Sequence, residues 1–173
     1  MRGRVAALLI VATALWVGAV ATQPASAAVS YFWGAIARHS GKCLEIPATT
    51  SSVWPSAIQY NCHGGPNQQW RRVRQPSGYL QISSRVDKQC LTVVGASMTD
   101  GANVIVSPCR TGANQEWQAT YLGNGYYRYV ARHSGKCLTV SAGSTANWAN
   151  VVQYTCTGSS NQQWVGVLFE PAV

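Results

Sequence analysis

Acidic residues are scarce in this sequence, and their scarcity limits the chemistry that the chain can perform. Only five Asp and Glu stand among 173 residues, against 13 Lys and Arg, so the formal net charge is +8. Hydrolysis of a glycosidic bond normally needs two carboxyl groups facing that bond. The sequence also has no Gly-x-Ser-x-Gly elbow and no HExxH motif. We therefore expect no enzyme, no metal and no cofactor. The five acids are Glu45, Asp87, Asp100, Glu116 and Glu170.

Long apolar runs are also missing, apart from one near the N-terminus. Two arginines precede an apolar stretch at 5–20, and Ala-Ser-Ala at 25–27 then supplies a small-x-small cleavage signal. That order is typical of a secretory signal peptide, and the stretch is shorter than the roughly 20 residues of a membrane span. The sequence predicts a signal peptide over 1–27, one mature domain over 28–173, and a secreted, extracellular protein with no membrane insertion.

The basic excess does not indicate a nucleic-acid binder. The densest basic stretch is Arg71-Arg72-Val73-Arg74, which has the composition of a solvated strand face rather than of a phosphate-binding track. A moderate positive charge instead raises solubility and gives a weak attraction to anionic surfaces. We expect no nucleic-acid partner.

A tetrapeptide recurs at a fixed interval through the chain. Asn-Gln-Gln-Trp ends at Trp70 and again at Trp164, and Asn-Gln-Glu-Trp ends between them at Trp117, so the tryptophans are 47 residues apart. Self-similarity at this period indicates one supersecondary unit used several times. Three copies, at approximately 31–77, 78–124 and 125–170, account for the mature chain, and we refer to them as the first, middle and third copies.

The six cysteines follow the same period, with alternating gaps of 19 and 28 residues. In a secreted protein they predict disulfides rather than a zinc site, which would need closer pairs of thiols. Of the 15 conceivable pairings, one treats every copy alike and closes short loops. It joins Cys43 to Cys62, Cys90 to Cys109, and Cys137 to Cys156.

Each copy has the pattern of short β-strands. In the third copy, Tyr126–Val130, Cys137–Val140 and the segment 150–156 are rich in aromatic and β-branched residues, and a further strand begins at Gln163. Helical periodicity over two turns is absent. About twelve short strands are expected, in an all-β arrangement closed on itself to protect its edges. A propeller is the competing closed form, but three blades fall below its usual range.

The repeated Cys-Leu-x-Val/Ile, the second cysteine and the Asn-Gln-x-Trp together resemble the ricin B-type lectin family, over essentially all of residues 30–168. The resemblance implies a β-trefoil, in which a six-stranded barrel is capped by three hairpins about a pseudo-threefold axis. It further implies that Trp70, Trp117 and Trp164 are core residues, and that the function is carbohydrate binding.

The resemblance also implies candidate ligand positions. In that family the site uses an Asp two residues after the first cysteine, an aromatic side chain two residues before the second, and the Asn and Gln that open Asn-Gln-x-Trp. The family's Asp is absent here: Glu45 is one methylene longer, and Thr92 and Thr139 are uncharged. The matching residues are Glu45, Tyr60, Asn67 and Gln68 in the first copy, Thr92, Ser107, Asn114 and Gln115 in the middle copy, and Thr139, Tyr154, Asn161 and Gln162 in the third.

Two further tryptophans mark the first and third copies. Trp54 and Trp148 are 94 residues apart and therefore equivalent, whereas the middle copy has Gly101 at this place. We expect Trp54 to pair with Tyr60, and Trp148 with Tyr154, as aromatic platforms for a sugar ring. The middle copy, with Ser107 and no ring, is then a scaffold. The alternative is that these tryptophans shield the disulfides or fill a gap beneath the loop.

These observations predict a lectin-like module that binds glycans or polysaccharide in its first and third copies. Further expected partners are a separate secreted enzyme or a cell-surface glycoconjugate. The alternative is a protein-binding trefoil that acts through its loops as an inhibitor or surface interaction protein and has lost sugar binding, since a fold does not determine a function.

Overall fold

The structure of the protein, a computed structural model, describes residues 31–47 and 54–169. The predicted signal peptide and the predicted cleavage site after Ala27 lie outside these residues. The described part contains no helix with the length and hydrophobicity that a membrane span requires. Its strands are β1 (Phe32–Ala37), β2 (Cys43–Glu45), β3 (Ile58–Tyr60), β4 (Trp70–Arg74), β5 (Leu80–Ser84), β6 (Cys90–Val93), β7 (Val104–Ser107), β8 (Trp117–Gly123), β9 (Tyr126–Ala131), β10 (Cys137–Val140), β11 (Val151–Tyr154) and β12 (Trp164–Phe169).

Six of these strands close into a barrel. Antiparallel pairing runs from β1 to β4, β5, β8, β9 and β12, and β12 pairs with β1 again. The other six strands form three hairpins, in which β2 pairs with β3, β6 with β7, and β10 with β11. Each copy therefore contributes one capping hairpin and part of the barrel wall. The predicted all-β trefoil is confirmed.

The tryptophan that ends each repeated tetrapeptide lies in the core. Trp70, Trp117 and Trp164 are at most 1% exposed. Each indole Nε1 donates to a main-chain carbonyl of the capping hairpin in its own copy, and the three acceptors are Leu44, Leu91 and Leu138, at 3.0–3.1 Å. A buried indole needs such an acceptor. The repeated tetrapeptide thus fastens each hairpin to the barrel.

The three disulfides join the pairs that repeat symmetry predicts. Cys43 is bonded to Cys62, Cys90 to Cys109 and Cys137 to Cys156, each across 19 residues. In each copy the bond joins the first strand of the capping hairpin to the segment after the second strand. The loop between the cysteines is thereby held over the cap.

Each of these loops also bonds to the hairpin of the next copy in cyclic order. The backbone N–H of Trp148, in the third copy, donates to the carbonyl of Gln59 in the first copy at 3.0 Å. The N–H of Gly101, in the middle copy, makes the equivalent bond to the third copy, at the carbonyl of Gln153, at 2.9 Å. The carbonyl of Pro55, in the first copy, accepts from Val106 in the middle copy at 3.1 Å. Residues from two copies therefore meet over each hairpin.

Two carboxylates make folding stability depend on pH. The hydrogen bond from Lys136 is the main cause that lowers the pKa of Asp100, and the Lys136 Nζ lies 2.7 Å from its Oδ1. Burial raises the pKa of Glu116, but hydrogen bonds from Ser77 and Arg132 outweigh it, so that this pKa is also lowered. A carboxyl whose pKa is lower in the folded state stabilises the fold above its unfolded pKa, and that contribution disappears as the pH falls through the folded value.

We therefore expect the melting temperature to be steady above the ordinary carboxyl pKa of about 4 and to fall progressively below it. The change Asp100→Asn introduces the amide that the third copy carries at Asn147. It should reduce the fall of the melting temperature at low pH. Thermal unfolding followed from about pH 6 to about pH 2 measures both effects. If the melting temperature fell equally with pH in the parent and the variant, Asp100 would not contribute to the pH dependence.

Candidate functional site

An exposed aromatic pair lies on the cap over the first copy's hairpin. The ring of Trp148, which belongs to the third copy, lies edge-on against the ring of Tyr60, with centroids 5.2 Å apart and planes at 71°. The Trp148 residue is 54% exposed and Tyr60 is half-buried. The predicted pairing of Trp148 with Tyr154 inside one copy is therefore wrong, because the third copy's loop folds onto the first copy's hairpin.

The backbone of Trp148 is in an unfavourable conformation. Its φ is +69°, in the left-handed region, whereas Gly101 occupies the equivalent position with a φ of +80°. Glycine adopts this region freely, but a bulky side chain there costs about 1–2 kcal/mol. Residues held in such strain cluster at ligand-binding sites. An exposed tryptophan in a glycine conformation makes Trp148 a candidate ligand-binding residue.

A buried glutamine holds the loop that carries Trp148. Gln59 is fully buried, and its Nε2 donates to the carbonyls of Ser144 at 2.7 Å and Ala146 at 2.8 Å. Its Oε1 accepts from the hydroxyl of Ser40 at 2.8 Å. All three polar positions of the amide are therefore used, and two of them fix the backbone just before the tryptophan.

The chain provides a matched pair of variants for this loop. Gln153 makes the corresponding bonds, to the carbonyls of Ser97 and Thr99, but the loop that it holds ends in Gly101 and carries no ring. We expect Gln59→Val and Gln153→Val to lower the free energy of unfolding alike, by about 1–3 kcal/mol, because each removes a buried amide together with its three hydrogen bonds. Valine stands at the equivalent position 106 of the middle copy.

Only Gln59→Val should also weaken ligand binding at the aromatic pair, by about fivefold, since the ring must then be ordered on binding. Chemical denaturation and calorimetric titration of both variants measure the two effects. Equal losses of affinity in both variants would show that Gln59 acts only through stability.

Beneath the rings lies a closed polar network. Glu45 is 4% exposed, and its Oε2 accepts from Gln68 Nε2 at 2.6 Å and from His63 Nε2 at 3.1 Å. The other ring nitrogen of His63, Nδ1, accepts from the backbone N–H of Gly65 at 3.1 Å. In the neutral imidazole this assigns the proton to Nε2. Glu45 and Gln68 are therefore occupied with each other under the site, and His63 extends from them to the surface.

The same buried position has the same partner in the other two copies. Thr92 Oγ1 accepts from Gln115 at 2.9 Å, and Thr139 Oγ1 accepts from Gln162 at 3.2 Å. Each glutamine Oε1 also accepts the backbone N–H of the residue after the second cysteine, at 2.7–2.9 Å. This geometry gives the predicted ligand residues Glu45 and Gln68 a supporting position beneath the rings. Thr139 and Gln162 are also largely buried, but they line the cavity of the third copy.

A cavity of about 520 Å³ lies over the hairpin of the third copy. The four residues predicted for this site, Thr139, Tyr154, Asn161 and Gln162, all line it, together with Gly101 from the middle copy. Tyr154 is 44% exposed. Asn161 Nδ2 donates to the carbonyl of Val140 at 2.9 Å, which fixes the amide and leaves its Oδ1 without a partner among the described residues. Asn67 makes the corresponding bond to Ile46 at 3.2 Å.

The middle copy is not without an aromatic side chain. A cavity of about 310 Å³ lies over its hairpin, and Trp54, from the first copy, lines it with Thr92, Ser107 and Arg110. Trp54 is 55% exposed. The interpretation of the middle copy as a ringless scaffold is therefore corrected, because the tryptophan of each loop serves the next hairpin. The first site thus has both rings, the middle site has Trp54, and the third site has Tyr154.

Two contributors to the first site were missed in the sequence. Gln59 and His63 occupy positions at which the copies differ: Val106 and Gln153 correspond to the first, and Arg110 and Thr157 to the second. Such differences between copies were the signal that could have identified them. Among the described residues, no group of three His, Cys, Asp or Glu side chains could hold a metal ion.

Comparison with known proteins assigns the fold to a family. The model of the ricin-type beta-trefoil lectin domain matches residues 32–164. Among solved structures, ThreeFoil, a designed 3-fold symmetric protein, is 46% identical, with a TM-score of 0.75 over 79% of this chain and 97% of that one. No curated protein sequence gives a significant match.

Two natural proteins share the fold at lower identity. An exo-β-1,3-galactanase from Clostridium thermocellum is 30% identical, with a TM-score of 0.77 over 82% of this chain. This chain spans only 30% of the galactanase. The Rhizoctonia solani agglutinin is 17% identical, with a TM-score of 0.71 over 84% of this chain and 99% of that one, and this likeness concerns the fold alone.

Proposed function

Because the chain belongs to the ricin-type β-trefoil lectin family, we propose that it is a secreted protein that binds glycans or polysaccharide on its cap and catalyses no reaction. The observation that carries the proposal is the exposed Trp148 ring, held against Tyr60 on a left-handed backbone. Three disulfides agree with an oxidising compartment outside the cytosol.

The first site has the two kinds of surface that a sugar needs. The C–H face of a pyranose packs on an aromatic ring, and Trp148 and Tyr60 supply two rings at an angle to each other. The sugar hydroxyls need fixed polar groups at the rim. We assign this role to the side-chain oxygen of Asn67. Both ring nitrogens of His63 are already bonded, and its ring lies edge-on to Tyr60 at the side of the platform. Glu45 and Gln68 hold His63 in place rather than touch the sugar.

The other two sites offer one ring each, so we expect them to be weaker. Trp54 would support a sugar at the middle site, and Tyr154 with Asn161 would do so at the third. Three sites on one rigid cap can engage neighbouring residues of a polymer, and the second and third contacts then form at high effective concentration. A polysaccharide, or a surface dense in glycans, suits this arrangement better than a single free sugar. Such a surface includes a cell-surface glycoconjugate or the substrate of a separate secreted enzyme.

The proposal is tested by binding of the oxidised mature chain, 28–173, to an array of neutral polysaccharides and glycans. The array should contain β-1,3-galactan, because a relative at 30% identity is a β-1,3-galactanase. We expect binding that free oligosaccharide inhibits and that the double variant Trp54→Ala/Trp148→Ala loses. Binding that survives in the double variant would assign the contact to Tyr154 and the amides. Absence of binding to every glycan would refute the lectin function and favour a protein partner.

A further inference from the structure

A small basic cavity lies on the barrel wall between the first and middle copies. It has a volume of about 150 Å³ and is lined by Phe32, Arg71, Ser83, Ser84, Arg85 and Lys88. We call it the oxyanion cavity. The sites on the cap make no use of these six residues. The cavity lies where β4 of the first copy pairs with β5 of the middle copy, and Arg71 is directly opposite Ser83 in that pairing.

At four of the six lining positions, the equivalent residues in the other copies are apolar or uncharged. Ser83 corresponds to Ile36 and Val130, and Lys88 corresponds to Gly41 and Gly135. Ser84 likewise replaces alanine, and Arg71 replaces glutamine or valine. Arg71 of the first copy thus meets Ser83, Ser84 and Lys88 of the middle copy around one cavity. A random surface change would not concentrate them around one cavity.

Lys88, a non-glycine residue in a left-handed backbone conformation, also sets the middle copy apart from the other two. Its φ is +58°, in the left-handed region, and the glycines that replace it in the first and third copies have φ values of +67° and +69°. An L-residue adopts this region at an energetic cost that glycine avoids. A lysine is therefore kept at a position that suits glycine, and Lys88 lines the cavity.

Ser83 offers a hydroxyl to the cavity. The residue as a whole is 6% exposed, but its hydroxyl oxygen is not among the fully buried polar atoms that lack a partner, so a ligand in the cavity can reach it. Because Ser83 lines the oxyanion cavity, a group bound there can accept a hydrogen bond from this hydroxyl.

The cations of the cavity also have no acidic partner. In the described part of the chain, the salt bridges involve His63, Arg132 and Lys136, and none involves Arg71, Arg85 or Lys88. Arg85 has a structural task as well, since its guanidinium lies 4.9 Å from the centre of the Phe32 ring and the equivalent arginines stack in the same way. Neither Arg71 nor Lys88 stacks on an aromatic ring among the described residues.

From these observations we propose that the oxyanion cavity binds a sulfate or carboxylate group carried by an acidic polysaccharide. Guanidinium and ammonium groups only donate hydrogen bonds, so the cavity suits a ligand that only accepts them. The volume, about that of five water molecules, is sufficient for an oxyanion group.

The assignment of the carrier rests on the proposed function and on the position of the cavity. The Lys88 carbonyl is 3.2 Å from Cys109 Sγ, and Cys109 stands between Pro108 and Arg110, which line the middle site. The oxyanion cavity and the Trp54 cavity therefore flank one disulfide. A polysaccharide whose sugar packs on Trp54 would carry its acidic substituents towards Lys88.

The test compares dextran sulfate with dextran, and inorganic sulfate with chloride, at constant ionic strength. The variant Ser83→Val/Lys88→Gly takes the residues of the third copy at both positions, so its fold is preserved. The matched control is Arg74→Gln, which removes one exposed charge outside the cavity, where Arg74 bonds only to the carbonyl of Gly78. Calorimetric titration measures affinity, and thermal unfolding confirms that all three proteins fold.

We expect the parent to prefer dextran sulfate to dextran. The double variant should lose about tenfold in affinity for it, and the control should lose no more than about twofold. Equal losses in both variants, or no preference for dextran sulfate, would overturn the proposal. Equal competition by single-stranded DNA of the same charge would overturn the assignment to polysaccharide.

The outcome separates this proposal from the lectin function. Inorganic sulfate binding that disappears in Ser83→Val/Lys88→Gly but persists in Trp148→Gly would establish the cavity even if no neutral glycan bound. Glycan binding that depends on Trp148, with no response to sulfate in any form, would leave the lectin function intact and overturn the oxyanion cavity.

Discussion

Replacing Trp148 by glycine is expected to weaken glycan binding by at least about tenfold, with the free energy of unfolding within about 1 kcal/mol of the parent. Binding falls because a tryptophan at the centre of a contact typically contributes about 2 kcal/mol or more. Stability is nearly unchanged because two effects oppose each other. The variant loses an aromatic edge contact of about 0.5–1.5 kcal/mol and regains about 1–2 kcal/mol from relief of the left-handed backbone.

The matched control is Leu168→Ala, which removes a 70% exposed apolar side chain from β12, outside the residues of the three sites. Its affinity should equal that of the parent. Titration with the polysaccharide found by the array, and denaturant unfolding of the three proteins, provide both quantities. Unchanged binding in Trp148→Gly would reject the platform. A large loss of stability would show that Trp148 is a structural residue.

The reverse change at the third site is expected to create a platform. Gly101→Trp places an indole beside Tyr154, as Trp148 lies beside Tyr60, and a Cβ at this glycine meets no atom within 4 Å. We expect affinity at the third site to rise by about tenfold, from the added stacking surface. The left-handed φ of +80° at this position should lower the free energy of unfolding by about 1–2 kcal/mol.

Gly101→Ala is the control for this gain, because it adds the same backbone strain without a ring. It should lose the same stability and gain no affinity. Titration of both variants in a Trp148→Gly background isolates the third site from the first. Equal affinities in the two variants would mean that the third site does not bind through stacking.

Much of the fold could be predicted from spacing alone. The interval of 47 residues between Trp70, Trp117 and Trp164 fixes three equivalent units, and equivalent units require equivalent disulfides. Short strands and the scarcity of helical pattern then leave a closed β-structure. These features depend on neighbouring residues or on the repeat interval, and both can be read directly from the sequence.

The composition of each site could not be predicted in the same way. Trp148 and Tyr154 are six residues apart, and their proximity in sequence suggested one platform. Backbone bonds such as that from Trp148 to Gln59 instead fold each loop onto the next copy. A repeat pattern identifies equivalent positions but contains no information on which neighbour a loop contacts. The aromatic partner of Trp148 therefore could not be predicted from the sequence.

The sequence also did not predict that polar ligand candidates such as Gln68 are buried. Gln68 has the side chain of a sugar ligand, but its amide is used by Glu45 and by the backbone on both sides of Cys62. Whether an amide serves the fold or a ligand depends on the groups within 3 Å of it, and these come from distant parts of the copy. The presence of threonine in two copies where the first has Glu45 was a hint that this position needs only one acceptor.

The central claim is that the first site is built from two copies, by Trp148 of the third and Tyr60 of the first. A double-mutant cycle on glycan affinity tests it most directly, with Trp148→Gly combined first with Tyr60→Ala and then with Tyr154→Ala. We predict a coupling free energy of about 0.5–1.5 kcal/mol between Trp148 and Tyr60, and additive effects for Trp148 and Tyr154. Coupling to Tyr154 with additivity at Tyr60 would contradict the shared site.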